Sequence, residues 1–275
     1  MKKIGVVEWY LPVQGPKAID FCLKVGFEGM QMHDHGGRNA NYPLLDERVH
    51  EMYEEELDGK DFTIYTLHPL DIARTPGIQY GMHTDLGAKC LENLKKTVKT
   101  CVMYNIPTIM LASFAGSKYG NKIQLQNTID NLREYIKIAE ANGVRIIYEG
   151  FSELPVMLRI LNELPELKLT YDICNPLLFG FSEPLEDLAA IPTERIDCMH
   201  IKDADECLNA TCEIGTGCVN VSACLDLLAE KKFDGWCFTE THYNELPVAN
   251  DGHGIDTMIK DIAFLKKNWV DKYEG

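Results

Sequence analysis

Short apolar runs alternate along the whole chain with longer stretches in which apolar residues recur every third or fourth position. Eight runs read as strands: Lys3–Glu8, Gly29–His33, Phe62–His68, Thr108–Ser113, Val144–Glu149, Lys168–Asp172, Ile196–Lys202 and Trp236–Glu240. In TIMLA and RIIY the apolar residues occupy both side-chain parities, as in strands covered on two faces. The intervening stretches carry the helical period. Leu125, Ile129, Leu132, Ile136 and Ala139 form one stripe, and Gly143 follows where a left-handed residue ends a helix. Leu86, Cys90, Leu94, Val98 and Cys101 form another, and Ile255 to Trp269 supply the last helix. Such alternation predicts a parallel α/β fold, and eight strands are what a closed (β/α)8 TIM barrel requires. An open doubly wound sheet would call for a glycine-rich phosphate loop after the first strand. Glu8-Trp9-Tyr10-Leu11-Pro12 stands there instead.

The length fits this reading. The chain has 275 residues, 45% of them hydrophobic, and a barrel of this type takes about 250. No Pro/Gly/Ser-rich linker interrupts it, so residues 1–275 are expected to form a single domain. A net charge of −15 argues against a nucleic-acid surface, and the acidic run from Glu51 to Asp61 reads as a solvated helix face. The ten cysteines include no C-x-x-C pair. Glu8 and Pro12 interrupt any secretory apolar segment, and no run approaches the ~18 apolar residues of a membrane span. Reduced cysteines in a cytoplasmic protein without membrane contact are the expectation.

Four of the strands end on chemistry. Glu149, Asp172, His200 and Glu240 close RIIYEG, LKLTYDICN, IDCMHIKD and WCFTET, at intervals of 23, 28 and 40 residues, the scale of one strand-helix unit each. In a parallel barrel the carboxyl ends of all strands gather at one face, where active sites form. Parity supports a shared inward direction: Trp236, Phe238 and Glu240 alternate on one strand, and Ile196, Cys198 and His200 on another. On the sixth strand Lys168 and Thr170 share parity with Asp172, a less apolar pattern. Three carboxylates and an imidazole make an oxygen-rich site for one divalent ion, with Mn²⁺, Mg²⁺ or Co²⁺ favoured and Zn²⁺ still open. Two vacant positions on such an ion would chelate the vicinal hydroxyl and carbonyl of a sugar or polyol and favour a metal-stabilised enediolate.

Glu149, Asp172 in YDICNP, His200 in MHIKDA and Glu240 in FTET, together with EIGTGCVNV, resemble the xylose isomerase-like barrel superfamily. Its nearest branches are the sugar isomerases and epimerases, including ketohexose 3-epimerases, hydroxypyruvate isomerases and inosose dehydratases. The resemblance spans nearly the whole chain and is most specific between Val144 and Thr241. It implies that Glu149, Asp172, His200 and Glu240 are the metal ligands and that Glu149 and Glu240 move protons on opposite faces of the substrate. It also implies that Asn175 hydrogen-bonds a substrate hydroxyl and that His68 lines the pocket. Asp203-Ala204-Asp205-Glu206 stands where ketohexose epimerases carry an arginine, so their substrate specificity does not transfer. The extra zinc-binding histidines of the DNA-repair branch are missing, since Ser113, Asn175 and Lys202 occupy the relevant positions.

Other candidates carry less. His33 ends the second strand as a substrate contact or an ordinary loop histidine, and His35 beyond it reads as solvent-exposed. Trp9 stacks on a sugar or packs on a helix. Lys202 neutralises an anionic substrate or pairs with Asp203 or Glu149. Ile214-Gly215-Thr216-Gly217, with no basic flank, reads as a structural turn rather than a phosphate loop. His242 is a possible neighbour of Glu240. The expected activity is a divalent-metal-dependent sugar isomerase or epimerase acting on a small-molecule substrate, with homo-oligomerisation left open. The alternatives are a metal-dependent dehydratase of an inosose-like keto-polyol and a non-catalytic metal- or ligand-binding barrel.

Overall fold

The computed structural model describes residues 2–34, 41–207, 210–249, 252 and 254–273; His35 lies outside them. Eight parallel strands close into one barrel: β1 (Lys3–Val7), β2 (Gly29–His33), β3 (Thr63–His68), β4 (Thr108–Ala112), β5 (Arg145–Glu149), β6 (Lys168–Asp172), β7 (Ile196–Ile201) and β8 (Trp236–Thr239). β1 pairs with both β8 and β2, so among these strands no edge is left open.

Helices α1 (Lys17–Val25), α2 (Glu47–Leu57), α3 (Asp85–Met103), α4 (Lys122–Glu140), α5 (Leu154–Glu163), α6 (Pro184–Ala190), α7 (Val221–Glu230) and α8 (Gly254–Leu265) connect and cover them. The chain is thus a single (β/α)8 TIM barrel. The whole Leu125–Ala139 stripe of α4 is buried, and Gly143 takes φ 74° beyond it. On α3 the buried stripe begins at Cys90. Leu86 sits in the helix's first turn and is 42% exposed, against the sequence expectation.

Two apolar layers follow from strand alternation. The larger lies between strands and helices, and the smaller fills the barrel with Val7, Met110, Ile147, Cys198, Trp236 and Phe238. The Trp236 and Phe238 rings stack 5.2 Å apart. They leave no room opposite: a Cβ on Gly5 would lie 2.4 Å from the Phe238 ring, and one on Gly29 2.7 Å from Trp236.

Register corrects one parity expectation. Leu169 pairs with Ile196, but Thr170 pairs with Cys198, so Asp197 is bulged out of the ladder. The bulge puts Ile196 in the outer layer, while Cys198 continues the inner one with His200 two residues on. The mixed face of β6 is an interior face as well, since the Thr170 hydroxyl lies 3.4 Å from Cys198 Sγ inside the barrel. No helix among the described residues is long and apolar enough to cross a membrane.

Candidate active site

Each residue of the site is delivered by a strand end. Glu149, Asp172 and His200 lie in β5, β6 and β7, and Glu240 follows β8, its backbone N–H still donating to Ile201 O at 2.9 Å. All four are buried, and one ligand atom from each lies within 4.8 Å of every other. Donors across one ion, with bonds of about 2.0–2.6 Å, stand about 4–5 Å apart. The spacing therefore suits a single cation.

The imidazole gives the sharper test of fit. His200 Nε2 lies 2.8 Å from Gln31 Oε1 and donates its proton there. Gln31 is held in turn, its amide nitrogen 3.4 Å from Cys198 Sγ. His200 Nδ1 is buried without a hydrogen-bond partner, 3.5 Å from Glu149 Oε1 and from Glu240 Oε2 and 4.0 Å from Asp172 Oδ2. Burial would lower the affinity of this ring for a second proton, but Glu240 and Glu149 raise its pKa to about 10. A divalent ion would take the place of that proton. The donor set fits one.

Each carboxylate is positioned by donors. Asp172 Oδ1 accepts the backbone N–H groups of Cys174 and Asn175 at 2.7 and 2.8 Å. Asn175 Nδ2 donates to Glu149 Oε1 at 3.1 Å, and Trp9 Nε1 to Glu240 Oε1 at 3.3 Å. Lys202 pairs with neither Asp203 nor Glu149. Its ammonium bridges Asp172 Oδ2 at 2.7 Å and Glu240 Oε2 at 2.6 Å. Burial pushes Asp172 up to about 6 against the pull of Lys202. Burial would raise Glu240 too, but Lys202 and His200 hold it well below the usual carboxylate range.

Above these groups opens a cavity of about 310 Å³. Trp9, His68, Asn175 and Lys202 line it, as do Glu149 and Glu240; His33 is not among the lining residues. His68 donates Nδ1–H to Met110 O at 3.0 Å, and burial lowers its pKa. His242 also lines the cavity, stacked on Tyr10 at 3.8 Å and paired with Glu245 at 2.9 Å.

Gln31, Tyr10, Arg74, Phe114, Phe151 and Phe179 were not singled out by sequence. The only signal for Gln31 was an amide inside the apolar strand GMQMH. The Ile214–Gly217 loop is a structural turn. Asp203 fills it, accepting the N–H groups of Gly215, Gly217 and Val219 at 3.0, 2.9 and 3.1 Å, where an external anion would otherwise sit.

A closed parallel barrel with an acid-imidazole ring at the carboxyl ends of its strands defines a class of metal-competent barrel enzymes. The xylose isomerase-like TIM barrel family model matches residues 19–268, and the chain belongs to that family. A 2-epi-5-epi-valiolone 7-phosphate 2-epimerase from Actinoplanes sp. is 23% identical over 214 residues, 73% of this chain and 72% of the relative. Among solved structures, the IOLI protein with a binding zinc atom superposes with a TM-score of 0.73 at 17% identity, covering 97% of this chain and 99% of the other. A 3-keto-D-glucoside 4-epimerase from E. coli gives a TM-score of 0.71 at 14% identity, covering 97% and 100%.

Proposed function

We propose that this protein is a divalent-metal-dependent isomerase or epimerase of a sugar- or polyol-type hydroxy-carbonyl compound. The observation that carries the reading is the pair Glu149 and Glu240, from strands three apart, meeting beside the free Nδ1 of His200 at the floor of the cavity. Glu149, Asp172, His200 and Glu240 would hold the ion. When bound, it supplies Lewis-acid stabilisation to negative charge developing on substrate oxygens.

The remaining steps belong to side chains. One glutamate removes the proton from the carbon beside the carbonyl, leaving an enediolate, and the other returns a proton. Return to the same carbon from the opposite face inverts it; return to the neighbouring carbon, with the hydroxyl proton passing to the former carbonyl oxygen, moves the carbonyl. Asn175 and Trp9 keep the two carboxylates aimed, and His68 offers Nε2 as an acceptor on the cavity wall. Lys202 adds positive charge beside Glu240.

Two of the similar proteins are named epimerases, and one neighbour carries zinc, which supports both halves of the proposal. The dehydratase and non-catalytic readings would use the same residues, and no separate feature of the cavity favours them. Ten unpaired cysteines, seven of them buried, support a reducing compartment such as the cytoplasm.

The test is exchange of carbon-bound hydrogen in deuterated water. Ketohexoses, inososes and hydroxypyruvate are offered to the protein stripped with chelator and reloaded with Mn²⁺, Mg²⁺, Co²⁺ or Zn²⁺. Turnover should require an ion and fall by about 10²–10⁴-fold in Glu149→Gln and in Glu240→Gln. If both variants retain turnover on a substrate that the native protein converts, the assignment fails.

A further inference from the structure

The cavity mouth differs chemically from its floor. Phe114, Phe151, Leu178, Phe179 and Leu246 form an apolar rim, with Phe114–Phe151 and Phe151–Phe179 ring contacts at 4.9 and 5.4 Å. Arg74 interrupts that rim.

Arg74 ends the short helix Leu70–Arg74 that follows β3, and its side chain is exposed. Among the described residues it makes neither an ion pair nor a side-chain hydrogen bond. The natural partner would be Asp71, three residues earlier on the same helical turn. Asp71 is instead buried and engaged, accepting Tyr42 OH at 2.6 Å and the N–H of Ile72 at 2.8 Å. The backbone beneath Arg74 is fixed from the other side. The turn Ala115–Ser117 lies against it so closely that a Cβ on Gly116 would stand 2.2 Å from Arg74 O. An anchored main chain thus presents a guanidinium that no described residue neutralises, at the entrance of a cavity whose other described cation, Lys202, is already spent on Asp172 and Glu240.

We propose that the cavity mouth is a subsite for an anionic group at the end of the substrate remote from the glutamates, a phosphate or a carboxylate, and that Arg74 binds it. The proposal rests on the reading above only in that the ligand enters the same cavity. A guanidinium forks onto two oxygens of either anion, and charge-assisted bonds of this kind are about twice as strong as neutral ones. The apolar rim offers no competing donor and lowers the local dielectric.

Calorimetric titration of the full-length, ion-loaded protein with sorbitol, sorbitol 6-phosphate and gluconate tests this. At least one of the two anions should bind tenfold or more tighter than sorbitol, and the advantage should shrink as salt is raised. Arg74→Met should erase the preference while leaving the melting temperature and the affinity for sorbitol unchanged, and Arg74→Lys should keep part of it. Equal binding of all three compounds by the native protein overturns the proposal. So does a preference that survives Arg74→Met, which would assign the anion to the bound ion instead. Glu149→Gln separates the two readings: anion preference kept with turnover lost supports both, and kept with turnover intact sinks the proposed catalytic role alone.

Discussion

His200 sets the chemistry of the site because one ring nitrogen is committed and the other is not. Gln31 accepts from Nε2 and thereby leaves Nδ1, which faces three carboxylates, as the ring nitrogen that would exchange its proton for an ion. Gln31→Leu removes that acceptor without adding bulk at the cavity. Calorimetric titration of the chelator-treated variant with Mn²⁺ should show affinity reduced about 10–100-fold, with the fold intact by circular dichroism. Unchanged affinity would mean that the carboxylates alone orient the ion. Sequence could find His200, because a histidine ending an apolar strand is conspicuous, but not Gln31, whose partner is 169 positions away. The same blindness applied to Lys202. Its charge was visible and Asp203 or Glu149 was the expected partner, whereas the strand ends brought Asp172 and Glu240 to it.

At the scale of elements, the loop after β7 is built around a single carboxylate. Asp203 accepts the N–H groups of Ala204, Gly215, Gly217 and Val219, and a Cβ on Gly217 would stand 2.3 Å from its Oδ1. Asp203→Ala leaves those amides unsatisfied and should lower unfolding stability in urea by about 2–4 kcal/mol. A loss below about 0.5 kcal/mol would show that water replaces the carboxylate without penalty. Sequence identified this segment as a turn from its glycines and its lack of basic flanks. The strands and helices were legible for a related reason, since periods of two and 3.6 are local properties. The bulge at Asp197 was not legible, because register is fixed by the neighbouring strand β6. Nor was the exposure of Leu86, which depends on where α3 begins relative to the barrel.

For the molecule as a whole, the barrel is packed at one end and reactive at the other, and β1 takes part in both. After Val7 the chain turns so that Trp9 enters the cavity while Glu8 is fully buried near Cys22 and Tyr53, whose pKa values are raised first by their own burial and then by Glu8 where it is charged. Burial lifts Glu8 to about 8, against the N–H groups of Gly15 and His33 that favour its charged form. The unfolded chain releases this proton near pH 4.5, whereas the folded protein keeps it until about pH 8. Between those values the folded state binds one more proton than the unfolded state, so stability falls as pH rises and levels off above about 8. The whole effect is on the order of 5 kcal/mol, because each tenfold difference in proton affinity between the two states is worth about 1.4 kcal/mol. Glu8→Gln keeps an acceptor for Gly15 N and has no proton to lose. Urea unfolding should therefore find native protein and variant of similar stability at pH 5, with the variant the more stable by several kcal/mol at pH 8.5. Parallel pH profiles would show that Glu8 is ionised within the fold and that water or an unrecognised cation reaches it there.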